Sequence, residues 1–195
     1  RESQLRGLAN SLPGAVFQFY ARGDGTYGLH FVSEHAETLL GISADPEGFF
    51  ERFRERIPKP YREAFEKSVA KAVEEEKPWR REIPFDRPDG KRIWLLGVST
   101  PEERSGELVF NGVLLDITDR KTAERKVRRE RDRFSTLFEN LPTPVVHGEP
   151  DENGKLRIRG VNDAFESTFG FSREAAQGED IQTLIVPPEE RASAD

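Results

Sequence analysis

The sequence predicts an α+β protein: five antiparallel strands in one sheet with helices on one side, then a long helix and the opening part of a second domain of the same kind. Three observations carry this expectation. Strand-forming and helix-forming segments follow one another as strand, strand, three helices, three strands. The strand segments are joined by short turns rich in Gly, Asp and Pro. The last third of the chain also repeats the first at a constant offset of 129, without a gap. Leu12-Pro13 recurs as Leu141-Pro142, Val16 as Val145, Val32 as Val161, Glu37 as Glu166, Gly41 as Gly170, Ser43 as Ser172, Pro58 as Pro187 and Arg62 as Arg191. Pro, Gly and helix-starting Ser fix backbone geometry, so the repeat is one of architecture. Nothing in the second copy corresponds to residues 67–128 of the first. The expected organisation is a domain with an N-terminal helix over 1–117, a connector helix over 118–140 and the N-terminal part of a second domain over 141–195.

Taken in order, Leu5, Leu8 and Leu12 recur at helical spacing until Pro13-Gly14, which predicts an amphipathic helix over residues 2–12. Residues 15–21 and 27–32 are rich in strand formers and flank Gly23-Asp24-Gly25, the signature of a hairpin. Ser33 is placed to cap a short helix that Gly41 closes, and Asp45-Pro46 to start another through Phe49, Phe50 and Phe53. Pro60 suits the first turn of a longer helix on which Tyr61, Phe65, Val69 and Val73 stack at four-residue steps. Residues 79–86, 92–100 and 107–117 read as a meander turning at Pro88-Asp89-Gly90 and Arg104-Ser105-Gly106. Residues 118–140 are helical and highly charged, with Ala123, Val127, Phe134, Leu137 and Leu141 near heptad positions and Glu130 interrupting them. The second copy replays the hairpin as 145–148 and 156–161, with Asn162 capping a short helix and a further helix from Ser172.

Composition narrows the function classes. Of 195 residues, 35% are hydrophobic and 34% charged, and 14 are Phe, which describes a globular chain with aromatic material to bury. No stretch approaches the ~20 apolar residues of a membrane span and no signal peptide opens the chain, so a cytoplasmic piece without membrane contact is expected. The absence of Met even at position 1 is expected of a piece from inside a longer protein. The absence of Cys excludes disulfides, thiolate metal sites and cysteinyl adducts. A formal charge of −6 argues against a dedicated nucleic-acid binder. Residues 120–133 are basic, but Asp119, Glu124, Glu130 and Asp132 are interleaved, as on a solvated helix. No Gly-rich phosphate loop and no nucleophile, base and acid grouping occurs, so no catalytic residue and no enzyme activity are expected.

Four segments together resemble the PAS family of sensor domains. They are Leu12-Pro13, Leu29-His30-Phe31-Val32-Ser33 with Ala36-Glu37-Thr38-Leu39-Leu40-Gly41, Phe85-Asp86-Arg87-Pro88-Asp89-Gly90-Lys91-Arg92-Ile93-Trp94, and Gly112-Val113-Leu114-Leu115-Asp116-Ile117-Thr118. One departure stands at Ile57-Pro58-Lys59-Pro60-Tyr61, where many such sequences carry His-Pro-Asp-Asp. The resemblance implies a pocket between sheet and helices. Flavin-binding relatives need a Cys and amide side chains, where this chain has no Cys and carries Leu95 and Leu114. Haem-binding relatives place a His on the long helix, which here has none. His30, His35 and His147 read as ordinary strand or surface residues. No cofactor and no metal are therefore expected, and a small apolar ligand is the occupant such walls would accept.

The candidate pocket residues are Phe65, Val69, Leu95, Leu108, Phe110 and Leu114, with Trp79 and Trp94 near the margin; plain core packing explains the same pattern. The candidate signal exit is Asp116, Ile117, Thr118 and Arg120. Thr118 is suited to cap the connector, and the resemblance implies an Asp116–Arg120 pair. The reading is a sensory and relay region of a signal transducer such as a histidine kinase, homodimeric through the Leu5, Leu8, Leu12 stripe and the connector, with its effector elsewhere in the parent chain. A ligand-free interaction scaffold is the first alternative, and a transcription-associated module touching DNA the second. The partial second copy is expected to expose Phe165, Phe169, Phe171 and Leu184, and to be disordered or completed by another subunit.

Overall fold

The structure is a computed structural model that describes residues 14–181 and 184. The helix expected over residues 2–12, its Leu5, Leu8, Leu12 stripe, Pro13, Pro187 and Arg191 lie outside the described residues. Two compact units part between Ala123 and Glu124.

In the first unit, β1 (Ala15–Ala21) and β2 (Tyr27–Val32) form the expected hairpin. Asp24 accepts hydrogen bonds from the backbone and hydroxyl of Thr26, which closes the turn. Three helices follow: α1 (His35–Leu40), α2 (Phe49–Arg56) and α3 (Lys59–Glu74). Then come β3 (Trp79–Asp86), β4 (Arg92–Arg104) and β5 (Glu107–Asp116). The sheet order is β2-β1-β5-β4-β3, antiparallel throughout. Inward positions alternate along β4, where Ile93, Leu95, Gly97 and Ser99 are buried and their neighbours are partly open. Pro84 is tolerated because β3 is an edge strand.

Two local expectations change. Ser33 does not cap α1 by its side chain; its hydroxyl accepts the Val16 N–H at 2.9 Å and ties the helix start to β1 instead. Asp45-Pro46 does not open α2; the Asp45 carboxylate accepts from the Glu47 N–H in a turn, and the helix begins after Gly48, whose φ of 67° only glycine adopts cheaply. Strand β4 also runs past residue 100. Ser105 and Gly106, both at positive φ, make a two-residue turn that lets Arg104 pair with Glu107.

The core lies between the sheet and the three helices. Ala15, Phe19, Leu40, Ile57, Phe65, Phe85, Leu95 and Phe110 are among its buried members. Arg87, in the β3–β4 turn, donates to the Thr38 and Leu39 carbonyls and so satisfies the C-terminal end of α1.

Helix α4 (Thr118–Asn140) begins in the first unit and ends in the second. The second unit continues with β6 (Val146–Pro150), β7 (Leu156–Val161), α5 (Asp163–Phe169) and α6 (Arg173–Ala176). Asn162 and Ser172 cap α5 and α6 by their side chains, as the sequence predicts. Phe165 corrects the expectation of exposure: it is buried with Ile158, Val161 and Ala176, while Phe171 and Leu184 pack partly against that cluster and Phe169 stays exposed. The chain from 178 to 180 doubles back on β7, with Ile158 donating to the Glu179 carbonyl and Gly178 to that of Ile158, which occupies one strand edge. Arg173 gathers the carboxylates of Glu139, Glu166 and Asp163, and Glu166 before the others holds its guanidinium protonated above the usual arginine range.

Candidate functional site: an apolar cavity and the exit of the sheet

A cavity of about 60 Å³ lies between the sheet and α2 and α3 of the first unit. Strand residues Phe17, Phe19, Leu29, Trp79, Ser99, Phe110 and Leu114 form one wall. The opposite wall comprises Phe49, Phe50 and Phe53 of α2 with Phe65, Val69, Ala72 and Val73 of α3. Neighbouring rings meet at 5.6 Å for Phe19–Phe50, 5.9 Å for Phe53–Phe65 and 6.0 Å for Phe65–Trp79, a contiguous aromatic lining. Only Ser99 and Trp79 carry polar side-chain atoms in this lining. The Trp79 indole N–H is already given to Ser68 Oγ at 3.0 Å, and that hydroxyl donates to the Phe65 carbonyl.

Of the residues singled out in the sequence, Phe65, Val69, Trp79, Phe110 and Leu114 line the cavity. Leu95 and Leu108 do not. Leu95 is fully buried but sits toward the Ile83 end of the sheet, and Leu108 packs at the other end, opposite Ala21. Trp94 points away from the cavity, against Tyr61 at 6.1 Å and beneath the Lys121 ammonium at 5.1 Å. Sequence reasoning missed the α2 contribution, because three Phe within five residues do not reveal which ring faces the sheet. Two mid-strand glycines were the available signal. A Cβ at Gly97 would stand 2.4 Å from the Trp79 ring, and one at Gly112 2.5 Å from that of Phe17, so both rings lie across strands that lack a side chain there.

At the exit, β5 passes into α4 through a small hydrogen-bonded knot on β4. The Ile117 N–H donates to the Trp94 carbonyl at 2.8 Å, and the Trp94 N–H donates to Thr118 Oγ1 at 3.0 Å. Asp116 Oδ1 accepts from both the Thr118 N–H and its hydroxyl. The Ile117 carbonyl then accepts the first helical bond, from Lys121. Thr118 therefore ties the helix start to β4, and the side chain that satisfies an orphan donor is that of Asp116. The implied Asp116–Arg120 pair does not form. Arg120 reaches Glu82 of β3 at 2.6 Å, and Lys121 pairs with the other oxygen of the same carboxylate. The Arg120 guanidinium first, and Lys121 second, hold the Glu82 carboxyl below the usual glutamate range.

Cavity and exit share strands. Trp79 and Leu114 wall the cavity on β3 and β5, and Glu82 and Asp116, further along the same two strands, hold α4. Among the described residues, no three His, Cys, Asp or Glu side chains come together as metal ligands, and no helix is long and apolar enough to cross a membrane.

Comparison with known proteins agrees with this architecture. Two sequence models of the PAS domain match, one over residues 24–119 and the other over residues 132–195. The sensor protein FixL of Bradyrhizobium diazoefficiens is 22% identical over 159 residues, covering 80% of this chain but 31% of that protein. A sensory box histidine kinase/response regulator structure from Burkholderia thailandensis superposes with a TM-score of 0.52 at 16% identity, over 70% of this chain and 99% of that one. An RNA-binding light-oxygen-voltage receptor gives 0.51 at 16% identity, over 69% of this chain and 38% of the other. At such identity these structures share the fold alone. With the five-stranded sheet, its helical cover and both copies of the repeat accounted for, the chain belongs to the PAS domain family of sensory modules found in signalling proteins.

Proposed function

We propose that the first unit is a sensor whose cavity accepts a small apolar ligand, and that occupancy is relayed through α4 to an effector such as a histidine kinase elsewhere in the parent protein. One observation carries this reading: the strands that wall the cavity at Trp79 and Leu114 are the strands that grip α4 at Glu82 and Asp116. A shift of β3 against β5 as the cavity fills would strain the Glu82 clasp and the Trp94–Thr118 bond together. Absence of Cys leaves no residue for a flavin–cysteinyl adduct, and absence of His from α3 leaves no haem ligand there. We further propose that two copies pair along the connector, where Val127, Phe134, Leu137 and Leu141 are exposed at near-heptad spacing.

The smallness of the cavity favours a second reading, a scaffold that binds no ligand. At about 60 Å³ it is well below the roughly 150 Å³ of an apolar cavity that takes up benzene. One experiment separates the two. Toluene or indole is added to the chain, and hydrogen exchange is followed at the amides of Trp94, Ile117 and Thr118. The sensor reading expects binding, with exchange altered at these exit amides. Binding without any change at the exit removes the relay, and no binding leaves the scaffold.

A further inference from the structure

The wall between cavity and solvent is shared at Leu29 of β2 and Phe50 of α2, which line the cavity on one side and a surface cleft of about 350 Å³ on the other. Phe50 is half-buried. Its ring contacts Phe19 and Phe65 toward the cavity, at 5.6 and 6.1 Å, and Tyr27 toward the cleft at 6.3 Å. A rotation of this one side chain would join the two spaces without breaking any hydrogen bond, since a phenyl ring makes none.

The cleft carries polar groups of both signs. Arg22 gives Nε to Glu107 at 2.9 Å and lies over the Tyr20 ring at 4.4 Å, while its two terminal nitrogens hydrogen-bond to no described group. Glu47 uses its backbone carbonyl to accept from Arg52, while its carboxylate accepts from no described group. Glu51 gives one oxygen to Arg54, and His30 is paired with Glu107, so Glu47 carries the carboxylate of the cleft that pairs with no described group. A lone carboxylate entering here would meet Arg22 but be repelled by Glu47. A lone ammonium would meet Glu47 but be repelled by Arg22. A head bearing both charges satisfies both side chains.

We infer that the cleft and cavity form one site for a zwitterionic amphiphile, an amino acid with an aromatic or branched apolar side chain. Its carboxylate meets the terminal nitrogens of Arg22, its ammonium meets the carboxylate of Glu47, and its side chain passes Phe50 into the cavity. This deepens the sensor reading and rests on it.

The test is calorimetry on the 195-residue chain with L-phenylalanine, L-leucine, 3-phenylpropionate, phenethylamine and toluene. The two amino acids bind, and each one-charge analogue binds at least about tenfold more weakly, because it leaves one charged partner unmet. Arg22→Gln abolishes the advantage of L-phenylalanine over phenethylamine, and Glu47→Gln its advantage over 3-phenylpropionate. Both side chains are exposed, so neither change threatens folding. If toluene binds while the amino acids gain nothing from their heads, or if both variants bind L-phenylalanine like the parent, the inference falls and the apolar sensor stands. If no compound binds, toluene included, both fall.

Discussion

Ser33 and Asn162, 129 residues apart, perform the same act in the two units: each side-chain oxygen accepts the N–H of the residue seventeen positions earlier, Val16 at 2.9 Å and Val145 at 2.8 Å. Asn162 goes further. It also caps α5 through the Phe165 N–H and donates to the Thr143 carbonyl at 2.9 Å, and it is wholly buried. The amide also donates to the Leu141 carbonyl at 3.4 Å, and two donations are more than a hydroxyl, with its single O–H, can make. Asn162→Ala should therefore cost about 2–4 kcal/mol in the second unit, and Ser33→Ala about 1–2 kcal/mol in the first, both read by urea denaturation.

Gly97 should be intolerant of any side chain. Its missing Cβ is the space that the Trp79 ring occupies, and Trp79 is anchored by its bond to Ser68. Gly97→Ala is expected to destabilise the first unit by about 1–3 kcal/mol and to alter Trp fluorescence, whereas alanine at Gly23, where the space is open, leaves both nearly unchanged. Equal effects at the two positions would contradict the close approach.

Thr118→Val keeps the shape of the side chain and deletes its hydroxyl, so the Trp94 N–H loses its acceptor and Asp116 one donor. The expected cost is about 1–2 kcal/mol. Hydrogen exchange should rise at Trp94 and in the first turn of α4 before it rises elsewhere. Unchanged protection at Trp94 would contradict the knot.

Acid should release the clasp on α4. The folded Glu82 pKa lies below its ordinary value of 4.5, through Arg120 and then Lys121, so the unfolded state binds the proton more readily. The stabilisation is present above pH 4.5 and is lost as pH falls through the lower folded value. Glu107, held down by His30 and then Arg22, follows the same sign. The Glu82 carboxylate is partly exposed, so its contribution is about 1 kcal/mol or less. Glu82→Gln should flatten this limb of the stability–pH curve, and a limb that it leaves unchanged would remove the clasp from the account.

Pairing along the connector would show in sedimentation. Val127→Glu with Leu137→Glu places charge on two exposed positions of the stripe that make no aromatic contact. The parent chain should sediment as a concentration-dependent dimer and the double variant as a monomer of unchanged helicity. A parent that stays monomeric at high concentration would dispose of the proposal.

Much of the fold was legible because it rests on neighbours in sequence. The alternation and turn residues that define β1, β2 and β3 lie within a few positions of one another, and those strands occur with the expected bounds. Asn162 and Ser172 act as caps because capping joins groups three residues apart. Ser33 escaped the same logic because a strand seventeen residues back offered its hydroxyl a better-placed donor.

The sequence by itself determined the repeated architecture, the strand order in chain direction, the family and the absence of cysteine chemistry, all properties of local pattern and composition. Only the tertiary structure decided which buried side chains face a void. Leu95 and Phe110 are both inward residues, but only Phe110 stands where α2 and α3 leave a gap. It also decided that Arg120 meets Glu82 rather than Asp116, across 38 positions of chain. Such pairings depend on how far one strand runs past another, and the side-chain period within each strand carries no record of that distance.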